Sequence, residues 1–250
     1  MLIHSSAPVN ILFMHHSVGW GIIDQGGVRG LLAEYNRRNG TNYRLWDHGY
    51  NGEGLRDPEG VPQNRNFNIP DDNTNPEGYA GIFAQPHNNP PDNAFSHFLE
   101  YDVIIFKSCF PACNIENAEK LARWQEYYRE IMAVMRRYPD KLFIPSTPPP
   151  LTPSWTNRTE ALNSRAFVSW LTSQDFLQGA TNVVPFDLFS VLAENNSNAP
   201  DYSMLRKDFR PGLFGMKKDS HPNKRANLAV APQLIETITK AIEQFRRVRA

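Results

Sequence analysis

Apolar runs and helix-spaced apolar positions alternate along this chain. Asn10 to Met14 is a nearly unbroken apolar run, as expected of a parallel strand buried on both faces. Val28, Leu31, Leu32 and Tyr35 fall at i, i+3, i+4 and i+7, one face of a helix that stops near Asn39-Gly40. Tyr43 to Trp46 reads as a short second strand and Val103 to Phe106 as a third. Leu121, Trp124, Tyr128, Ile131 and Met135 predict a long helix over 117–138, ended by Pro139-Asp140. Leu142 to Ile144 is a fourth strand, running into Ser146-Thr147-Pro148-Pro149-Pro150, and a helix follows over about 159–174. Val183 to Phe186 is a fifth strand, and a helix over 226–247 closes the chain with Leu234, Ile235, Ile238, Ile242 and Phe245 inward. Strands alternating with helices predict an α/β fold: one domain over 1–250, with a doubly wound, parallel, five-stranded sheet and helices on both faces.

Two stretches break this rhythm. Residues 49–93 are rich in Asn, Pro, Gly and Asp, and 195–216 are similar. Loops this long in a compact domain are usually functional. They carry aromatics, Tyr50, Phe67, Tyr79 and Phe83 in the first and Tyr202, Phe209 and Phe214 in the second, so they are expected to be ordered and to face a substrate.

Composition narrows the function classes. At 40% hydrophobic residues the chain can build a real core, which excludes wholesale disorder. Its 26 basic and 26 acidic residues balance, giving no signal for nucleic acid or an acidic membrane surface. No apolar run approaches the ~20 residues of a membrane span. The first ten residues lack the pattern of a signal peptide, so the expectation is a soluble protein, cytoplasmic or secreted with its signal removed. The two cysteines, Cys109 and Cys113, form no disulfide framework; they read as reduced, buried thiols in a tight loop, or as a bridged pair if the segment turns tightly.

The candidate chemistry sits at the two ends. The first strand runs into His15-His16-Ser17-Val18-Gly19, and Asp219-Ser220-His221-Pro222-Asn223 precedes the last helix. In open parallel sheets, ligands bind beyond the carboxyl ends of the strands, where Ser17 is expected. A serine hydroxyl needs a neighbouring base to become a nucleophile, and His221 can be that base. Gly19 and Gly21 would allow a sharp turn and close approach of a substrate. His16, Trp20 and Tyr50 are the expected substrate contacts. A metal site built on His15, His16, His48 and His221 is a competing reading, weakened because neighbouring strand residues point to opposite faces. Asp71-Asp72-Asn73 is acidic enough to suggest calcium but lacks the spacing of a known calcium loop.

In order of elements the chain resembles the SGNH hydrolases, the GDSL-type esterases. That family places its serine just after the first strand in Gly-Asp-Ser; here the serine remains as Ser17. Asp47-His48-Gly49-Tyr50-Asn51-Gly52 is similar to the family's Asn-x-Gly-x-x-Gly and points to Gly52 as an oxyanion donor. The family's Gly-x-Asn-Asp is replaced by Lys107-Ser108-Cys109-Phe110-Pro111-Ala112-Cys113-Asn114, leaving Asn114 or Ser108 as the further donor. Its Asp-x-x-His becomes Asp219-x-His221. The acid is then Asp219 through an altered turn, or Asp187 after the fifth strand, or absent in a Ser–His dyad. The resemblance implies a flavodoxin-like fold and a carboxylic ester hydrolase with no cofactor. It also implies a small-molecule or carbohydrate ester as substrate, through relatives that remove acetyl groups from sugars. A non-catalytic carbohydrate-binding protein on a decayed hydrolase fold is the alternative to an esterase.

Overall fold

The computed structural model describes residues 7–70, 75–212 and 220–249. In chain order, β1 (Val9–Met14) leads into α1 (Ser17–Trp20), a π-helical turn (Gly21–Gln25) and α2 (Val28–Asn39). β2 (Tyr43–His48), β3 (Leu55–Arg56), α3 (Pro76–Phe83), α4 (Ala94–Phe98) and β4 (Val103–Lys107) follow. Then come α5 (Ala118–Met135), β5 (Leu142–Ser146), α6 (Arg158–Leu171), α7 (Gln174–Leu177), α8 (Leu188–Leu192) and α9 (Lys224–Arg249). Among the described residues these strands form one sheet of five in the order β3-β2-β1-β4-β5, flanked by helices: a flavodoxin-like α/β fold. β2, β1, β4 and β5 are parallel.

The fifth strand is not the one expected from sequence. β3 pairs antiparallel with β2 through Asp47 opposite Arg56. Val183 and Phe186 instead touch β5 only through isolated parallel bridges, to Phe143 and Ser146. Pro185 lies between them and has no N–H for the ladder, so a regular strand cannot propagate there.

Alternation along each strand divides the core into two faces. Val9, Ile11 and Phe13 of β1 pack with Val28 and Leu32 of α2 and with Val230, Leu234 and Ile238 of α9. Leu12 and Met14 pack on the other face with α3, α4, α5 and Phe167 of α6. Here the reading of the first long loop needs correction. Phe67, Tyr79 and Phe83 are fully buried in this second core, so they build the protein rather than face a substrate. Part of that segment is α3, whose N-cap Asn75 accepts a hydrogen bond from the N–H of Gly78, with Pro76 in the first turn. In the second stretch Phe209 is also buried. Tyr202 lies against the Arg165 guanidinium, and Phe214 lies outside the described residues.

Strand order reverses between β1 and β4, so the carboxyl ends of these two strands open the crevice where such folds bind ligands. Ser17 follows β1 and Cys109 follows β4. Among the described residues no helix is long and apolar enough to cross a membrane.

Candidate active site

Ser17 is the first residue of α1, whose N-cap, His16, is extended at φ −128°. The backbone N–H of Ser17 therefore opens a helix and has no intrahelical partner. His221 arrives from the loop before α9, held on both sides. The N–H of Thr152 donates to Ser220 Oγ at 3.0 Å. Asn223 donates through Nδ2 to the carbonyls of Asp208 and Arg210 and accepts the N–H of Ala226, capping α9. The outcome is a distance of 2.6 Å between Ser17 Oγ and His221 Nε2, across 204 residues of chain. Phe110 meets the His221 ring edge-on at 5.1 Å and is followed by the half-exposed Trp155.

The opposite side of Ser17 is closed by Cys109, read from sequence only as a loop thiol, and by the expected contacts Tyr50, His16 and Trp20, which Glu53, not singled out from sequence, holds together. Cys109 Sγ lies 3.9 Å from Ser17 Oγ, and its thiol is buried. Tyr50 lies against His16, with ring centroids 4.7 Å apart. Burial raises the Tyr50 phenol above its ordinary range, against hydrogen bonding from the side chain and backbone of Ser17. Glu53 fixes this corner by accepting from Trp20 Nε1 at 2.9 Å and from the N–H of Tyr50 at 3.0 Å. A side chain at Gly49 would come within 2.5 Å of that carboxylate, which explains the glycine.

Among the described residues no hydrogen bond links Gly52, Asn114 or Ser108 to Ser17. Gly52 sits in an exposed turn, and a Cβ added there would meet nothing within 4 Å. The glycine this turn requires is Gly54, at φ 65° and against the Arg65 carbonyl. Asn114 closes the 3-10 turn over 110–113, its N–H bonded to the Pro111 carbonyl. Ser108 is completely buried and faces the phenol of Tyr128. The residue that the β4 end brings to Ser17 is Cys109. Gly19 and Gly21 also differ from expectation: both lie in helix, and what approaches them is protein. A Cβ would fall 2.3 Å from the His15 Cβ at Gly19 and 2.6 Å from Asn227 Nδ2 at Gly21.

Asp219 lies outside the described residues, as do Asp71-Asp72-Asn73. Asp187, the other candidate acid, caps α8: it accepts from the N–H of Ser190 at 3.0 Å and from Thr147 Oγ1 at 3.3 Å.

Among the described residues the histidines form no metal centre. Both ring nitrogens of His15 face acceptors, Asp47 Oδ2 at 2.9 Å and the His16 carbonyl at 3.0 Å. His48 donates through Nδ1 to the Gly49 carbonyl and accepts the N–H of Phe67 at Nε2. Among the described residues no group of three or more His, Cys, Asp or Glu is placed to hold an ion. Instead Asp47, fully buried, binds Arg29, Arg56 and His15. Burial alone would push its carboxyl up; the hydrogen bonds of His15 and Arg56 and the charge of Arg29 outweigh this and hold it at about 2.

No protein-family model and no curated protein matches the sequence. Solved structures do match in shape. A Bacteroides fragilis protein provisionally assigned as an acylhydrolase is 11% identical, at a TM-score of 0.51 over 95% of this chain and 91% of that one. A GDSL-like lipase from Bacteroides thetaiotaomicron is also 11% identical, at a TM-score of 0.44 over 94% and 88%. A family two carbohydrate esterase from Clostridium thermocellum, solved with cellohexaose, is 14% identical, at a TM-score of 0.46 over 96% of this chain but only 66% of that one. Identities this low establish a shared architecture alone: the chain has a flavodoxin-like α/β fold in common with the Bacteroides fragilis protein.

Proposed function

We propose that this protein is a serine esterase that cleaves an ester, an acetyl ester on a carbohydrate, through an acyl-Ser17 intermediate. The observation that carries the reading is the 2.6 Å approach of Ser17 Oγ to His221 Nε2 at the point where strand order reverses. In this reading Ser17 Oγ attacks the ester carbonyl while His221 Nε2 takes its proton. The C–O bond to the alcohol then breaks, and His221 returns the proton to the departing oxygen. Water, activated by the same imidazole, attacks the acyl-enzyme, releasing the acid and restoring Ser17. The N–H of Ser17 at the start of α1, turned toward the Tyr50 phenol in this structure, is the backbone donor for the carbonyl oxygen as it becomes negative. Asp219 is assigned as the group that orients His221.

Support for a sugar comes from the surroundings of the pair. Trp20, Tyr50, Phe110 and the half-exposed Trp155 offer aromatic surface near Ser17 and His221, and sugar rings stack on such faces. The test is turnover of a panel of acetylated sugars and nitrophenyl esters by wild type and Ser17→Ala. The expected result is a loss of at least ~10³ in a folded Ser17→Ala protein. Near-wild-type turnover in that variant would remove the nucleophile assignment. Absence of turnover of any ester by wild type would favour a binding protein.

A further inference from the structure

Ser17 and His221 also line a cleft of about 350 Å³ between the π-helical turn and the start of α9, with Trp20, Asp24, Gln25 and Asn227 around it. This volume falls at the small end of ligand pockets, which run from about 300 to 1,000 Å³. Its floor is unusual. Asn227 is only 2% exposed, a polar side chain in a largely apolar helix face. Its Nδ2 donates to Gln25 Oε1 at 2.9 Å, while its Oδ1 accepts no hydrogen bond from the described residues. That oxygen is not sealed away from the cleft, so it can accept a hydrogen bond from a ligand hydroxyl. The amide lies directly against Gly21, where any side chain would overlap it. The π-turn, closed by the bond from the N–H of Gly26 to the Gly21 carbonyl, puts Asp24 and Gln25 on the rim, and such turns recur at functional sites. Asp24 is half exposed and is steadied by Arg56 at 3.3 Å and Arg29 at 3.9 Å, leaving carboxylate lone pairs for further donors.

We infer that this cleft seats the departing alcohol of the ester, and that it is built for a polyhydroxylated, sugar-like alcohol. The inference rests on the esterase reading of Ser17 and His221. Two features place the alcohol here and the acyl group elsewhere. The proton that the departing oxygen needs comes from His221, which forms one wall of the cleft. The other side of Ser17 carries Cys109 Sγ, 3.9 Å from the nucleophile, and Tyr50, and the acyl group is assigned to that side. Asn227 Oδ1 and the Asp24 carboxylate are both acceptors, matched to hydroxyl donors on the alcohol.

The experiment compares kcat/KM for a mono-acetylated methyl glucoside with that for 4-nitrophenyl acetate, whose leaving group has no hydroxyls and leaves without a proton. Taken as a ratio, sugar ester over nitrophenyl ester, the value should fall roughly tenfold in Asn227→Ala and in Asp24→Asn, the worth of one hydrogen bond each. The loss should be read in KM more than in kcat. Asp24 is on the rim, so its variant keeps the test decisive if Asn227→Ala does not fold. Ser17→Ala serves as the arm for the underlying reading. Turnover that depends on Ser17, with a ratio unmoved in the folded variants, overturns the cleft assignment alone. Turnover that does not depend on Ser17 overturns the esterase reading and this inference with it.

Discussion

Asp219 stands two residues before His221, where a spacing of three is expected, so the choice of acid rests on single side chains. Asp187 is already occupied as the cap of α8, and removing a cap typically costs about 1 kcal/mol of stability. Asp219→Asn should therefore lower turnover by roughly 10²–10⁴, because a neutral amide can hold the wrong imidazole tautomer, while Asp187→Asn should chiefly lower stability. Turnover of both variants, alongside their urea midpoints, separates the roles. A large catalytic loss at Asp187 with none at Asp219 would transfer the acid to the segment after β5. Ser17 and His221 were legible in sequence because each flanks a strongly patterned element, β1 or α9. The groups around them were legible only in part: His16, Trp20 and Tyr50 were expected there, whereas Cys109 and Glu53 were not. Cys109 meets Ser17 only because β4 lies beside β1, and the two belong to residues 92 apart in sequence. Gly52 matched a motif by spacing, but spacing does not report which glycine in a turn needs φ above zero.

At the level of elements, the buried Asp47 joins four pieces of the fold next to the site. It stands on β2 and binds His15 after β1, Arg29 of α2 and Arg56 of β3. β3 is only two residues long and could not be read from periodicity; this ion cluster is what anchors it to the sheet edge. Asp47→Asn leaves buried cationic partners without their counter-charge and should destabilise the protein by about 3–5 kcal/mol in denaturant unfolding. The pH sign follows from the depressed carboxyl. Its stabilisation is fully present above an unfolded value of ~3.9 and is lost as pH falls through about 2. Stability that is flat from pH 4 to 2, or unchanged in Asp47→Asn, would contradict this role. The long elements β1, β2, β4, β5, α2, α5, α6 and α9 were legible because apolar spacing repeats over enough residues to distinguish a period of 2 from one of 3.6. α3 was missed because its eight residues sit in a segment dominated by Asn, Pro and Gly.

The molecule as a whole is a sheet with two apolar faces, and a buried lysine on β4 is out of keeping with both. Lys107, at the end of β4, is completely buried, with Nζ donating to the Ser108 carbonyl at 3.0 Å. Burial pushes its ammonium pKa down, against the pull of Cys109 and Cys113. Between that lowered value and an unfolded value of ~10.4 the unfolded chain binds more protons, so stability rises with pH across the window. Lys107→Met should raise stability at neutral pH by about 1–3 kcal/mol and flatten the alkaline rise. Denaturant unfolding of both proteins as a function of pH checks this, and a destabilised Lys107→Met would assign the lysine a structural role. At this scale the division of the core was legible in sequence, while the placement of the loop aromatics was not. Phe67, Tyr79 and Phe83 are separated from the sheet residues they cover by long stretches of polar chain, and only the folded topology brings them inward.

The central claim is that Ser17 is a nucleophile activated by His221. The most direct measurement is covalent labelling by a fluorophosphonate, with the adduct located by peptide mass spectrometry. Labelling forms a Ser17 Oγ–phosphorus bond with loss of fluoride, and it needs the same base as ester cleavage. The prediction is a single adduct on the peptide that contains Ser17, formed at least ~10²-fold more slowly in a folded His221→Ala protein. An adduct on another residue, or labelling of Ser17 at an equal rate without His221, would contradict the account.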